Sequence, residues 1–106
     1  MKIVLLCALG MSTSLLVKKM NNEAANQSID ATIEAYSVDD LEEQLKIADI
    51  ILLGPQIRYK KREIFKKAEE AGVPIAVIDM KAYGMLDGKK VLKQALDLKN
   101  KQRREG

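Results

Sequence analysis

Short apolar runs separated by longer amphipathic stretches constrain this chain more than any other feature. Ile3-Val4-Leu5-Leu6-Cys7 is continuously apolar, as are Ile50-Ile51-Leu52-Leu53, stopped by Gly54-Pro55, and Ile75-Ala76-Val77-Ile78, started by Pro74. Runs this short, with little polar interruption, suit strands covered on both faces of a sheet. Residues 29–36 alternate instead, with Ile29, Ala31, Ile33 and Ala35 on one side and Asp30, Thr32, Glu34 and Tyr36 on the other. That period predicts a half-exposed edge strand.

The stretches between them read as helices. Ser12 to about Asn26 carries Leu16, Met20 and Ala24 at four-residue spacing, and Asp39 or Asp40 can cap a short helix bearing Leu41, Leu45 and Ala48. Residues 57–71 put Ile57, Ile64, Ala68 and Ala71 on one side ahead of Gly72, and Asp87 can open a last helix with Val91, Leu92, Ala95, Leu96 and Leu98. Each helix buries one stripe, and Gly72 is a natural stop. Strands alternating with helices predict an α/β fold, a four-stranded parallel sheet with helices on both faces. With the amphipathic strand at an edge beside the first, the order is 2-1-3-4, as in flavodoxin-like folds. Such sheets bind ligands beyond the carboxyl ends of their strands, at the switch point between strands 1 and 3. Cys7 to Ser14 and Gly54 to Tyr59 are the loops that meet there.

Composition removes many chemistries. A chain of 106 residues makes one domain, here residues 1–100 with a basic tail at 101–106. With no His and one Cys, the sequence cannot build a Cys/His zinc site, a Ser-His-Asp triad, a Cys-His pair, a CxxC couple or an internal disulfide. No metal and no cofactor is expected. The net charge of +3 is unevenly spread: Lys89, Lys90, Lys93, Lys99, Lys101, Arg103 and Arg104 face only Asp97 and Glu105 over residues 89–106. A basic end on a slightly acidic body reads as a solvated helix and frayed tail. With three Tyr and one Phe available for stacking, nucleic acid is not an expected partner. No run approaches the roughly 20 apolar residues that span a bilayer. The apolar start, short and followed by Gly10 and three hydroxyl residues, reads as a strand and not as a signal peptide. A cytoplasmic monomer is expected.

The first loop carries the chemistry. Cys7-Ala8-Leu9-Gly10-Met11-Ser12-Thr13-Ser14 runs from a strand end straight into a helix. Gly10 lets the backbone turn its N–H groups inward, the helix N-terminus adds positive partial charge, and three hydroxyls can donate further hydrogen bonds. This is an anion cradle, and a thiol at its rim gains stabilisation of the thiolate and so becomes a nucleophile. The plain alternatives are a core cysteine ending an apolar strand and a Ser12 that only caps the helix. Tyrosine phosphatases also place cysteine before a phosphate loop, with Arg six residues on; here that residue is Thr13. Without a guanidinium to clamp the transition state, and with no obvious acid and water-activating pair although Asp79 and Asp87 follow strand 4, a phosphocysteine awaiting an acceptor fits better than fast hydrolysis.

Cys7-Ala-Leu-Gly-Met-Ser-Thr-Ser-Leu-Leu16, with Leu52-Leu-Gly-Pro-Gln-Ile-Arg-Tyr59 and Tyr83-Gly84…Asp87-Gly88, resembles the IIB component of the lactose/cellobiose (chitobiose, lichenan) family of the bacterial sugar phosphotransferase system (PTS). The likeness extends over about residues 1–98, and Leu9 stands where the family commonly has a small residue. It implies a phosphotransferase that takes phosphate from a histidine of IIA onto Cys7 and passes it to a sugar held by the membrane transporter IIC. It also implies a phosphate loop of Ala8, Leu9, Gly10, Met11, Ser12, Thr13 and Ser14, with Gln56 or Arg58 lining the docking surface. For Arg58, Lys60, Lys61 and Arg62 an ordinary solvated helix face is the alternative, and Tyr59 and Tyr83 read as packing residues with wet hydroxyls. Two other readings stand beside this one: a small phosphatase or arsenate reductase using the same loop, and an anion- or nucleotide-binding module in which Cys7 is structural.

Overall fold

The computed structural model of the protein describes residues 1–7 and 11–105, the side chains of Met11, Ser12, Arg58 and residues 102–105 excepted. Strands β1 (Lys2–Cys7), β2 (Thr32–Ser37), β3 (Ile50–Leu53) and β4 (Ile75–Val77) form one sheet in the order β2-β1-β3-β4. Every neighbouring pair is parallel, with Ile3 opposite both Ile33 and Ile50. Helices α1 (Met11–Asn26), α2 (Leu41–Leu45), α3 (Lys61–Ala71), α4 (Met80–Gly84) and α5 (Gly88–Glu105) cover it.

The period of two along each strand sorts the core into two layers. Ile3, Leu5, Ile33, Ile50 and Leu52 pack with Leu16, Met20 and Ala24 of α1, Ala82 of α4 and Val91, Leu92 and Ala95 of α5. Val4, Leu6, Ile51 and Leu53 point the other way, onto Leu41 of α2 and Ile57 and Ile64 near α3. Each fully buried Leu or Ile contributes about 1.5–3 kcal/mol, which is why the continuous apolar runs become the central strands.

Several boundaries differ from the periodicity. Ile29 and Ala31 precede β2 because α1 ends in a left-handed turn: Ser28 has φ +55° and the Ile29 N–H returns to the Ala24 carbonyl at 2.8 Å. Gly72 does end α3, with φ +75°, whereas Ala71 is exposed and not part of the buried stripe. The helix predicted from residue 57 begins instead as a 3-10 stretch over Pro55–Lys60, broken at Ile57, before α3 proper. β4 is half-buried where full burial was expected, because it is the second edge of the sheet. Helix α4, capped by Asp79, has no counterpart among the four helices read from the sequence. The last helix runs on from Leu98 to Glu105.

Both sheet edges have a side-chain amide laid along them. Thr32 N–H points into the sheet, to the Met1 carbonyl, so the polar groups of Ile33 point outward. Asn21 of α1 meets both, its Nδ2 donating to the Ile33 carbonyl (3.0 Å) and its Oδ1 accepting from the Ile33 N–H (3.1 Å). Beyond β4, Ile78 N–H turns inward to Leu53, and Gln94 of α5 takes the outward Val77 carbonyl (2.8 Å) and Asp79 N–H (3.1 Å).

Candidate functional site

Cys7 is the last residue of β1, opposite Ser37 of β2 in the parallel register. It shares the parity of Ile3 and Leu5, so its side chain faces the α1 layer. Its Sγ lies 3.4 Å from Oγ1 of Thr13, in the first turn of α1, and its thiol donates a long contact of 4.0 Å to the Tyr36 carbonyl. Cys7 and Thr13 are both fully buried, while Ser14 beside them is exposed. Either partner can donate in the Cys7–Thr13 bond while sulfur carries its proton; once the thiolate forms, the hydroxyl must be the donor. Of the other loop residues, Ala8, Leu9 and Gly10 lie outside the described residues, and Met11 and Ser12 are described only as helical backbone.

The second loop comes in from β3. Gly54 N–H extends the ladder to the Leu6 carbonyl at 2.8 Å, beside Cys7. A Cβ on Gly54 would lie 2.6 Å from Oε1 of Gln56 and 3.5 Å from Cβ of Cys7. Glycine is therefore what lets the Gln56 side chain fold back across the loop next to the cysteine. From there Gln56 Nε2 donates to the Tyr83 hydroxyl on α4 at 2.6 Å. Tyr83 is half-buried against the α1/α5 layer, as expected of a packing residue with a polar tip, but Tyr59 is 75% exposed and packs into neither layer. The residue the loop buries is Ile57. Lys60, Lys61 and Arg62 are exposed, and the Arg58 side chain lies outside the described residues.

The two acids after strand 4 serve the backbone. Asp79 Oδ2 accepts from Ala82 N–H (2.9 Å) and Asp87 Oδ1 from Lys90 N–H (3.1 Å), each at the start of a helix. Sequence reasoning missed the Tyr36 carbonyl, whose contact follows from register, and the Gln56–Tyr83 pair, whose members are 27 residues apart. It also missed a rim of apolar side chains. Of the five large apolar residues exposed among the described residues, Leu15, Tyr59, Met80 and Met85 belong to segments that leave the carboxyl ends of β1, β3 and β4. A signal existed, since none of the four falls on the buried stripe of its helix.

Comparison with known proteins agrees with this arrangement. Residues 2–94 match the family described as "PTS system, Lactose/Cellobiose specific IIB subunit". The oligo-beta-mannoside-specific EIIB component of Bacillus subtilis is 47% identical over 97 residues, covering 92% of this chain and 94% of that protein. The cellobiose-specific EIIB component of Lactococcus lactis subsp. lactis is 50% identical over 103 residues, covering 92% and 95%. The solution structure of the cellobiose-specific phosphotransferase IIB component of Borrelia burgdorferi superposes with a TM-score of 0.82 at 38% identity, covering 96% of this chain and 94% of that one. The lactose-specific IIB domain of Streptococcus pneumoniae, at 24% identity, shares the fold with the same TM-score. The parallel sheet of order 2-1-3-4 is one that IIB components share, and the chain belongs to the lactose/cellobiose-specific IIB family of the sugar phosphotransferase system, a family of phosphotransferases.

Proposed function

We propose that this protein is a cytoplasmic phosphoryl carrier in sugar uptake, with Cys7 as the residue that holds the phosphate. A IIB component works with IIA and IIC components; the finer reading is that Cys7 receives the group from a phosphohistidine of IIA and yields it to a sugar bound by IIC. The Cys7 thiolate gives an electron pair to phosphorus, the P–N bond breaks, and its pair stays on the imidazole, which takes up a proton as Cys7 has lost one. In the second transfer a sugar hydroxyl oxygen attacks phosphorus, the S–P bond breaks with its pair returning to sulfur, and the hydroxyl proton passes by way of water to the sulfur, which restores the thiol. Both transfers run in line through a loose transition state, so what the protein supplies is position and hydrogen-bond donors.

The observation that carries this reading is the Cys7 Sγ, 3.4 Å from the Thr13 hydroxyl at the N-terminal turn of α1. In the proposal Thr13 holds the thiolate, and backbone N–H groups of the loop from Ala8 to Ser14, with the hydroxyls of Ser12 and Ser14, take the phosphoryl oxygens. The engagement of Asp79 and Asp87 as helix caps, and Thr13 in place of a loop Arg, count against the hydrolytic alternative. The absence of any helix long and apolar enough to cross a membrane among the described residues is compatible with a carrier that visits IIC from the cytoplasm. Docking is proposed to use Gln56 and Arg58 together with the exposed apolar side chains Leu15, Tyr59, Met80 and Met85, which lie on segments that follow the carboxyl ends of the strands and offer surface a partner can bury. The relatives' names specify a mannoside, cellobiose and galactose at 47–50% identity, so the chemistry shared with this chain is independent of the sugar. Incubation with a phosphorylated IIA protein of the lactose/cellobiose type tests the reading: one phosphate appears on the wild type, and equal labelling of a Cys7→Ser variant would overturn it.

A further inference from the structure

Gln56 has a side chain folded back on its own loop, although it is exposed and free of any core to fill. Its oxygen occupies the space above Gly54, and its nitrogen reaches an element from the far edge of the sheet. The space it fills adjoins Cys7: the same Cβ position on Gly54 that would strike Gln56 Oε1 lies 3.5 Å from Cys7 Cβ. An exposed glutamine ordinarily samples several rotamers; here the 2.6 Å bond to the Tyr83 hydroxyl selects one. Tyr83 is a firm anchor, because its ring packs against the α1/α5 layer and α4 is pinned by the Asp79 cap.

A carboxamide nitrogen carries two protons, and the bond to Tyr83 uses one. The second is not spent in that bond, and the amide that carries it is the one whose oxygen lies over Gly54, next to Cys7. We propose that Tyr83 is a positioning residue for phosphoryl transfer: through its hydroxyl it holds the Gln56 amide beside Cys7, so that the remaining Nε2 proton is presented to the phosphoryl group in transit. This rests on the reading of Cys7 as the phosphate carrier and adds to it a donor from the second loop, supplied from outside the α1 cradle. Glutamine suits the task where the Arg of a phosphatase loop would not, since a neutral donor assists transfer in either direction and does not trap the anion.

The test is a kinetic double-mutant cycle on the full chain, with Tyr83→Phe, Gln56→Leu and the pair, using a phosphorylated IIA protein as donor over a range of concentrations. Tyr83→Phe keeps the ring and its packing and removes one hydroxyl. It lowers the limiting transfer rate about three- to tenfold, the worth of one hydrogen bond, with the half-saturating donor concentration unchanged. The double variant is no slower than Gln56→Leu alone, because Tyr83 acts through Gln56. A Tyr83→Phe protein at the wild-type rate, losses that multiply in the double variant, or a change confined to half-saturation would each overturn the proposal, the last by leaving Gln56 with its docking role alone. Those outcomes leave Cys7 labelled and the carrier reading intact; failure of the wild type itself to accept phosphate would bring down both.

Discussion

The same four strands end differently at their two ends. At the amino end the polar groups are spent on one another: Lys2 N–H donates to Asp49 Oδ2 (2.7 Å), Asp49 N–H to the Lys2 carbonyl (2.9 Å) and Thr32 N–H to the Met1 carbonyl (2.9 Å), while the Lys2 ammonium meets Glu34 at 3.0 Å. At the carboxyl end a buried thiol, a folded-back amide and a tyrosine hydroxyl lie close together, and large apolar side chains are left in solvent. A cleft of about 410 Å³ between Phe65, Val73, Pro74 and Leu98 opens at the start of β4, at the amino end and away from Cys7. The difference teaches that a hollow is a poor guide to function here. What separates the ends is whether polar groups are consumed by the fold or gathered beside the buried cysteine proposed to carry phosphate.

Substitutions can break that contrast. The largest effect is expected from Cys7→Ser, which should lower phosphate acceptance from a IIA donor by at least about a hundredfold while the circular dichroism of the fold persists. Next is Gly54→Ala. Its new methyl group pushes away Gln56 Oε1, the end of a flexible chain, so transfer should slow about tenfold with a melting temperature lowered by less than about 5 °C. Wild-type transfer by that variant would mean the carboxyl end needs no ordered amide.

At the other end the signs reverse. Asp49→Ala leaves the Lys2 N–H without its carboxylate, and should cost about 1–2 kcal/mol, or about 4–8 °C of melting temperature, with transfer unchanged. A slowed transfer would show the ends to be coupled. The smallest effect belongs to Glu34→Gln. The Tyr36 hydroxyl first, and Lys2 second, hold the Glu34 carboxyl below its ordinary 4.5, and the same bond lifts Tyr36 above 10.0. The sign follows: a lowered acid stabilises fully above its ordinary value and loses that contribution as pH falls through the folded one, whereas the raised tyrosine loses its share as pH climbs past its own. Melting of the variant should therefore trail the wild type by no more than about 2 °C near neutrality, the gap closing in acid and in alkali.

The strands were legible because each is an unbroken or alternating apolar run, and the order followed once the alternating one was put at an edge. Cys7 stood out because its strand ends on Gly10 and three hydroxyls. Helix α4 was not legible: five residues carry too little periodicity, and its Asp79 reads equally well as an acid or a cap until the Ala82 N–H is placed against it. The Gln56–Tyr83 bond joins the loop after β3 to helix α4 through tertiary packing, so no local pattern encodes it. Tyr59 misled because an aromatic side chain ordinarily packs: it lies off the stripe of Ile57, Ile64 and Ala68, and it emerges into water.

Asn21 and Gln94 lay a carboxamide along the outward backbone of each edge strand, and they bear on how this molecule meets others. An open edge invites a neighbour to add a strand, a union knit by many backbone bonds at once and slow to come apart. A plugged edge refuses it. Recognition is left to side chains at the loop end, in contacts of the kind that form and part quickly, which would suit the carrier role proposed above.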